Sequence, residues 1–314
     1  MRITWIGNHE EGILAFKRVI KDNDVSAFIT LDDSAYAKRS AGTREYIDIC
    51  NENNVPIFLV ATIKDDKAYK IINDNKPDLL VVLGWSEILP ERLLNVPTIG
   101  TVGTHASLLP HNRGSAPINW ALIHGEKTTG NTMMWLNKDV DAGEVVHQTE
   151  FPITIFDTCK TLYDRVAETN ADMLINLIDS LNKGRKPVLA INNQTDEQIL
   201  PRRRPKDGLI NWKQSGTKIY DFIRALTKPY PGAFTFLKGK KYLIWEAAVL
   251  PMISMEQAGT IVGLGYGFAH NGSGICVATM DNILWITLVE DEDGNEYSGQ
   301  SLYELNLKGS FADE

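Results

Sequence analysis

The chain has 314 residues, enough for about two domains at roughly 100–200 residues each. Hydrophobic residues make up 43% and charged residues 23%, which excludes a disordered, collagenous or low-complexity protein. The net charge of −8 divides into 20 Lys+Arg against 27 Asp+Glu over residues 1–200 and 12 against 13 over residues 201–314, so neither part carries the basic excess of a nucleic-acid binder.

From the N-terminus, Arg2–Gly7 reads as a strand, followed by an amphipathic helix with Ile13, Leu14, Phe16, Val19 and Ile20 on its apolar face. Val25–Thr30 is a second strand, Thr43–Asn54 a helix and Pro56–Val60 a third strand. Leu79–Leu83 is continuously apolar, as a strand buried on both faces should be. Ile99–Thr104 follows as a strand, Ala116–His124 as a helix, Thr132–Leu136 and Val145–Phe151 as strands, and Cys159–Leu181 as a long helix. This alternation predicts an α/β class, a Rossmann-like, mostly parallel sheet with helices on both faces over residues 1–200. Residues 183–206 read as an exposed polar linker. Beyond it come a helix, Gly216–Leu226, and short strands at Ala233–Phe236, Tyr242–Val249, Thr260–Val262, Gly274–Thr279 and Ile283–Leu288. That pattern predicts a smaller OB-like β-barrel domain over residues 201–314.

No apolar run approaches the roughly 18 residues of a membrane span, and the first residues show no signal-peptide core. Cys50, Cys159 and Cys276 are too few and too scattered for a disulfide framework or a zinc ribbon. A cytoplasmic protein with no membrane partner is expected, and a homodimer is the default quaternary state.

The first βα turn, Gly7-Asn8-His9-Glu10-Glu11-Gly12, lacks the G-x-G-x-x-G fingerprint, and its carboxylates oppose a pyrophosphate, so a nicotinamide cofactor is not expected. Candidate chemistry concentrates between Leu83 and Val146. His105 closes a predicted parallel strand, where open α/β sheets place ligands. Asp139-Val140-Asp141-Ala142-Gly143-Glu144 forms the loop before a later strand. On the residues alone two readings stand. His105 and Asp141 form a general-base pair, or His105 is a hydrogen-bonded core histidine and Asp141 a turn-former. Trp85, Trp120 and Trp135 read either as packing or as a platform for a flat ring. His124, His147 and His270 read as surface or packing residues, and Glu290–Gly294 as an acidic turn without calcium-loop spacing.

The run His105-Ala106-Ser107-Leu108-Leu109-Pro110, then Arg113-Gly114, then Ala116-Pro117-Ile118-Asn119-Trp120, resembles the signature of the formyltransferases that use 10-formyltetrahydrofolate. Asp141-Ala142-Gly143 is similar to that family's D-x-G element, and Gly84-Trp85-Ser86-Glu87-Ile88-Leu89-Pro90 to its folate-pocket loop. Pro205–Trp212, Ile223–Leu226 and Pro229–Phe234 resemble its C-terminal blocks. The resemblance implies 10-formyltetrahydrofolate as formyl donor, no metal, and catalytic roles for His105 and Asp141. It implies a folate site from Gly84, Trp85, Ile88, Leu89, Pro90, Asp139 and Asp141, and acceptor contacts from His9, Ser107, Arg113, Arg202, Arg204 and Tyr230.

One catalytic position departs from the pattern. The family carries Asn two residues before the His, and here that residue is Gly103. Loss of an oxyanion donor typically costs about 10²–10³ in rate. A backbone N–H, a water, or the hydroxyl of Thr101 or Thr104 is the substitute to look for, or the activity is weakened. The whole chain is similar to sugar-nucleotide N-formyltransferases of the kind acting on UDP-4-amino-4-deoxyarabinose, so a nucleotide-linked amino sugar is the expected acceptor. Arg202, Arg203, Arg204 and Lys206 then either clamp its diphosphate or form a solvated linker. The alternatives are methionyl-tRNA as acceptor, or a folate-binding protein with little turnover.

Overall fold

A computed structural model describes residues 1–38, 42–191, 198–266 and 273–311, and His270 lies outside them. Strands β1 (Arg2–Ile6), β2 (Asp24–Leu31), β3 (Ile57–Val60), β4 (Leu79–Val82), β5 (Gly100–His105), β6 (Thr128–Trp135) and β7 (Glu144–Pro152) form one sheet in the order 3-2-1-4-5-6-7. The first five run parallel; β6 returns antiparallel beside β5, and β7 pairs antiparallel with β6. Helices α1 (Ile13–Asp22), α2 (Asp33–Tyr36), α3 (Glu45–Glu52), α4 (Asp66–Asn75), α5 (Glu91–Leu94), α6 (Pro117–His124) and α7 (Cys159–Asn182) connect the strands.

The sheet's two faces follow from the two-residue period of its strands. Ile3 and Trp5 of β1 and Leu79 and Val81 of β4 pack with Phe16 and Val19 of α1, Tyr46 and Cys50 of α3, and Leu174 and Leu177 of α7. Ile6, Leu80 and Val82 point the other way, onto Ala68 and Ile72 of α4 and Leu93 and Leu94 of α5. Each of these large side chains contributes about 1.5–3 kcal/mol by leaving water, which fixes the register on both sides. Helix α4 has a mostly polar sequence, but Asp65 caps it by accepting the Ala68 amide at 2.7 Å, and its apolar residues recur at helical spacing. Strand β6 begins at Thr128 rather than Thr132, because the polar Asn131 is fully buried and donates to Thr169 Oγ1 (2.9 Å) and Asn170 Oδ1 (2.7 Å) of α7.

The stretch after α7 is less free than an exposed linker. Lys186 Nζ donates to the Ile99 carbonyl, the Trp135 indole N–H to the Pro187 carbonyl, and the Leu189 amide to the Val145 carbonyl. These bonds hold residues 186–189 beside β5–β7.

The chain divides into two compact units, 1–117 with 128–152 and 161–201, and 118–127 with 153–160 and 202–314. In the second unit, β8 (Ala233–Leu237), β9 (Lys240–Leu250), β10 (Ile261–Tyr266), β11 (Ser273–Ala278), β12 (Ile283–Asp291) and β13 (Glu296–Ser298) form an antiparallel half-barrel, with α8 (Gly216–Leu226) and α9 (Gly299–Glu304). The strand order is 10-11-12-9-8, with β13 on β12. A buried ion pair fastens segment 153–160 to α8. The Arg224 guanidinium donates to Asp221 Oδ1 (2.8 Å) and to the carbonyls of Thr154 and Asp157 (both 2.7 Å). Among the described residues no helix is long and apolar enough to cross a membrane.

Candidate active site

The carboxyl ends of β1, β4 and β5 lie at one edge of the sheet and carry His9, Gly84 and His105. His105 is 8% exposed. Its Nε2–H donates to the Asn112 carbonyl at 2.8 Å, and its Nδ1 faces Asp141 Oδ1 at 3.5 Å. The two residues, 36 positions apart in the chain, are therefore neighbours. The other carboxylate oxygen of Asp141, Oδ2, accepts the Gly114 amide at 2.9 Å. With Nε2 committed to a carbonyl, neutral His105 presents a lone pair at Nδ1 to a carboxylate. A proton at Nδ1 would turn that opposition into a charge-assisted contact.

Loop geometry produces this juxtaposition. Asp141 sits in the left-handed region at φ 51°, a conformation Asp tolerates better than most residues. Two residues on, a Cβ at Gly143 would lie 1.9 Å from the Trp135 carbonyl oxygen, so only glycine fits there. The Arg113 guanidinium donates to the Val140 carbonyl, joining the loop after His105 to the loop of Asp141.

Position 103 supplies no donor. Gly103 shares the His105 face of β5, and a Cβ built on it meets Leu136 Cδ1 and Cδ2 at 3.0 Å. Leu136 thus fills the space where a longer side chain would lie. Neither hydroxyl substitute is available: Thr101 Oγ1 is buried and donates to the Leu94 carbonyl, and strand alternation turns Thr104 to the opposite face.

The loop after β4 is braced against the loop after β3, with Glu87 Oε2 accepting the Thr62 hydroxyl and the Ile63 amide (both 2.9 Å). Gly84, at φ +65°, gives its carbonyl to the amides of Asn8 and His9 (2.9 and 3.0 Å). Those amides, which in a dinucleotide fold would receive phosphate, are already taken. The Tyr46 phenol donates to the His9 carbonyl at 2.9 Å, and burial pushes its ionisation well above the ordinary range, so it remains a donor. Leu89 is buried in the second-face core, with Pro90 capping α5, while Ile88 is 59% exposed. Trp85 packs on the same core cluster as Leu136, and its indole N–H is buried without a hydrogen bond among the described residues. An exposed aliphatic and an orphaned indole donor on the His105 face of the sheet fit a flat heteroaromatic group such as a pterin.

The other sequence candidates divide. Ser107 is fully buried and its hydroxyl donates to the His111 carbonyl at 2.7 Å, so it closes its own loop. Asp139 is exposed. Trp135 is core, and Trp120, in the second unit, lies under Arg203, whose guanidinium carbon is 5.0 Å from that ring and 5.3 Å from the Phe222 ring. Burial pushes the Arg203 pKa down. Arg202, Arg204 and Lys206 are exposed, and Tyr230 is half-buried, all in the second unit. Sequence reasoning gave no role to Gly114 or Leu136; the signal for the first was its place in the turn between His105 and α6.

A mostly parallel sheet with a His–Asp pair at its carboxyl edge, followed by an antiparallel half-barrel, defines an α/β protein with a candidate acid–base site. Residues 9–178 match the formyl transferase family and residues 203–306 the formyl transferase C-terminal domain; the chain belongs to this family, whose enzymes are folate-dependent formyltransferases. It is 34% identical over 265 residues to the bifunctional polymyxin resistance protein ArnA of Wigglesworthia glossinidia brevipalpis, covering 83% of this chain but only 40% of that protein. It is 32% identical over 301 residues to the methionyl-tRNA formyltransferase of Carboxydothermus hydrogenoformans, covering 96% of this chain and 95% of that one. Its fold is similar to WlaRD, a sugar 3N-formyl transferase solved in the presence of dTDP and 5-N-formyl-THF (TM-score 0.60, 15% identity, 94% of this chain and 99% of that chain). Two relatives that the chain spans nearly end to end carry the name methionyl-tRNA formyltransferase.

Proposed function

We propose that this chain transfers the formyl group of 10-formyltetrahydrofolate to a primary amine, with His105 and Asp141 handling the proton. The observation that carries the reading is the 3.5 Å approach of His105 Nδ1 to Asp141 Oδ1, with each partner's second polar atom fixed by Asn112 or Gly114. The folate donor supplies an activated formyl carbon. As the amine bonds to that carbon it must lose a proton, and His105 Nδ1 receives it while Asp141 stabilises the imidazolium. The same proton is then available to the departing folate nitrogen.

For the acceptor, the full-length relatives support the aminoacyl amine of methionyl-tRNA. A second reading, the amino group of a nucleotide-linked sugar, draws on the acidic balance of residues 201–314 and the ArnA relative. Both are tested in one assay: the protein with 10-formyltetrahydrofolate and either methionyl-tRNA or a panel of UDP-, GDP- and dTDP-linked amino sugars. Formylated product from one class identifies the acceptor. His105→Ala is expected to lower turnover by about 10²–10⁴ while sparing most folate affinity. Wild-type turnover in that variant, or no product with either class, refutes the reading.

A further inference from the structure

Three consecutive residues hold the His105–Asp141 pair. The Asn112 carbonyl takes Nε2–H, the Arg113 guanidinium holds the Val140 carbonyl, and the Gly114 amide holds Asp141 Oδ2. The backbone of this triplet is itself fixed from outside its loop. The Leu200 amide donates to the Arg113 carbonyl at 2.8 Å, and the Ser115 amide donates to the Leu200 carbonyl at 3.1 Å. Gly114 and Leu200 thus form an isolated parallel bridge, and a Cβ at Gly114 (φ +112°) would lie 2.5 Å from the Leu200 carbonyl oxygen. Side-chain packing contributes little here, since Ile199 is 53% exposed and Leu200 only partly buried. Two backbone bonds do the holding. The following residue, Pro201, ends the first unit.

The geometry points to Leu200 as a positioning residue for the His–Asp pair: residues 199–201 act as a strap that sets the Gly114 amide, and through it the orientation of the Asp141 carboxylate. The inference rests on the proton-handling role given to that pair. It assigns a task to a segment that otherwise reads as linker. Gly114 is in a φ region that favours glycine in any case, and a Cβ there would in addition meet the Leu200 carbonyl oxygen at 2.5 Å.

Two variants break the bridge from opposite sides. Leu200→Pro removes the amide that donates to Arg113, and Gly114→Ala forces a methyl against the Leu200 carbonyl while keeping the Gly114 N–H. Misplacement of a reacting group by ~1 Å costs about 10²-fold, so each is expected to lower kcat by about 10- to 100-fold. Affinity for 5-formyltetrahydrofolate should stay within about twofold, and the pH profile of kcat should move, because the Nδ1 proton loses its aligned carboxylate. A purely structural strap would reduce thermal stability and active fraction but leave that profile in place. Val188→Ala, at an exposed side chain outside the strap, should behave as wild type. A folded Leu200→Pro or Gly114→Ala with wild-type kcat and pH profile overturns the strap, provided His105→Ala is inactive in the same assay. If His105→Ala retains full turnover, the proton-handling reading itself fails.

Discussion

Restoring an amide at position 103 tests whether the missing donor limits the rate, and Leu136 decides how the test must be built. Gly103 has no positive φ, so its backbone accepts a side chain. Replacing glycine there gains about 0.4–1 kcal/mol by restricting the unfolded chain. Against that stands the contact at 3.0 Å to both Leu136 methyls, an overpacking that costs about 1–3 kcal/mol. The overpacking term wins. Gly103→Asn alone should lower Tm by about 2–4 °C per kcal/mol lost in a domain of this size, with the amide pushed out of line and no gain in rate. Leu136→Ala alone opens a partial cavity and costs about 2 kcal/mol, the low end for such a truncation, because the side chain is only partly buried. In the double variant the new side chain refills that space. Its stability should exceed the sum of the single losses by about 0.5–3 kcal/mol of coupling. An amide two residues before His105 on the same face is worth about 10²–10³ as an oxyanion donor when well aligned. The double variant should therefore gain at least about tenfold in kcat over Leu136→Ala, ~1.4 kcal/mol in barrier. Thermal unfolding and steady-state kinetics on the four proteins, with whichever acceptor is turned over, read both quantities. Strictly additive stability losses, or a double variant no faster than Leu136→Ala, would refute the claim that Leu136 occupies the donor's place.

The second unit offers two independent tests. Asp221→Ala strands the Arg224 guanidinium, which is 6% exposed, as an uncompensated buried charge, so it should destabilise by about 3–5 kcal/mol; a loss below about 1 kcal/mol by thermal unfolding contradicts that account. Hydrogen bonds from the Asn295 side chain and amide, with Tyr297 and the Asp293 amide also donating, hold the Asp291 carboxyl down to about 2 from an ordinary 3.8. A depressed folded-state value means that its stabilising contribution is complete above pH 3.8 and is lost as pH falls through about 2. Asp291→Asn should flatten the stability profile in that window and remove, at every pH above it, the stabilisation the carboxylate supplies there.

The layered α/β fold was legible because its strands are apolar enough to announce themselves: Leu79–Leu83 is a continuous run, and β1 and β4 alternate cleanly between two cores. Elements whose burial depends on distant partners were harder. Thr128–Asn131 reads as polar turn, yet Asn131 is buried because α7, more than 30 residues later, supplies its acceptors. Within the site, His105 and Asp141 stood out by residue type and family pattern. Ser107 and Arg113 stood out as well, but the Ser107 hydroxyl bonds within its own loop and the Arg113 guanidinium bonds the Val140 carbonyl of the Asp141 loop, which side-chain chemistry alone does not reveal. The partner of Gly103 was beyond reading, since nothing near position 103 names Leu136 as the residue that fills its space. The run Arg202-Arg203-Arg204 shows the same limit from the opposite direction: its three arginines and nearby Lys206 look alike in sequence, yet packing on the rings of Trp120 and Phe222 withdraws Arg203 from the exposed cluster.

That withdrawal bears on the acceptor. With Arg203 packed on its rings, the basic run keeps three exposed cations, Arg202, Arg204 and Lys206, on a unit whose remaining charges include the acidic Glu290–Asp293 turn. RNA affinity grows with the number of phosphates neutralised, and each contact released by salt steepens the loss of binding by about 0.7–0.9 in the logarithmic slope. Three cations support a short phosphate contact rather than a long one. If methionyl-tRNA is the acceptor, its recognition must then rest more on the aminoacyl end, near the His105–Asp141 pair, than on the phosphate backbone. A diphosphate, by contrast, needs no more than the exposed cations already present. The charge distribution and the full-length relatives thus pull toward different acceptors, and the residue they share is His105, whose proton chemistry requires only that an amine arrive.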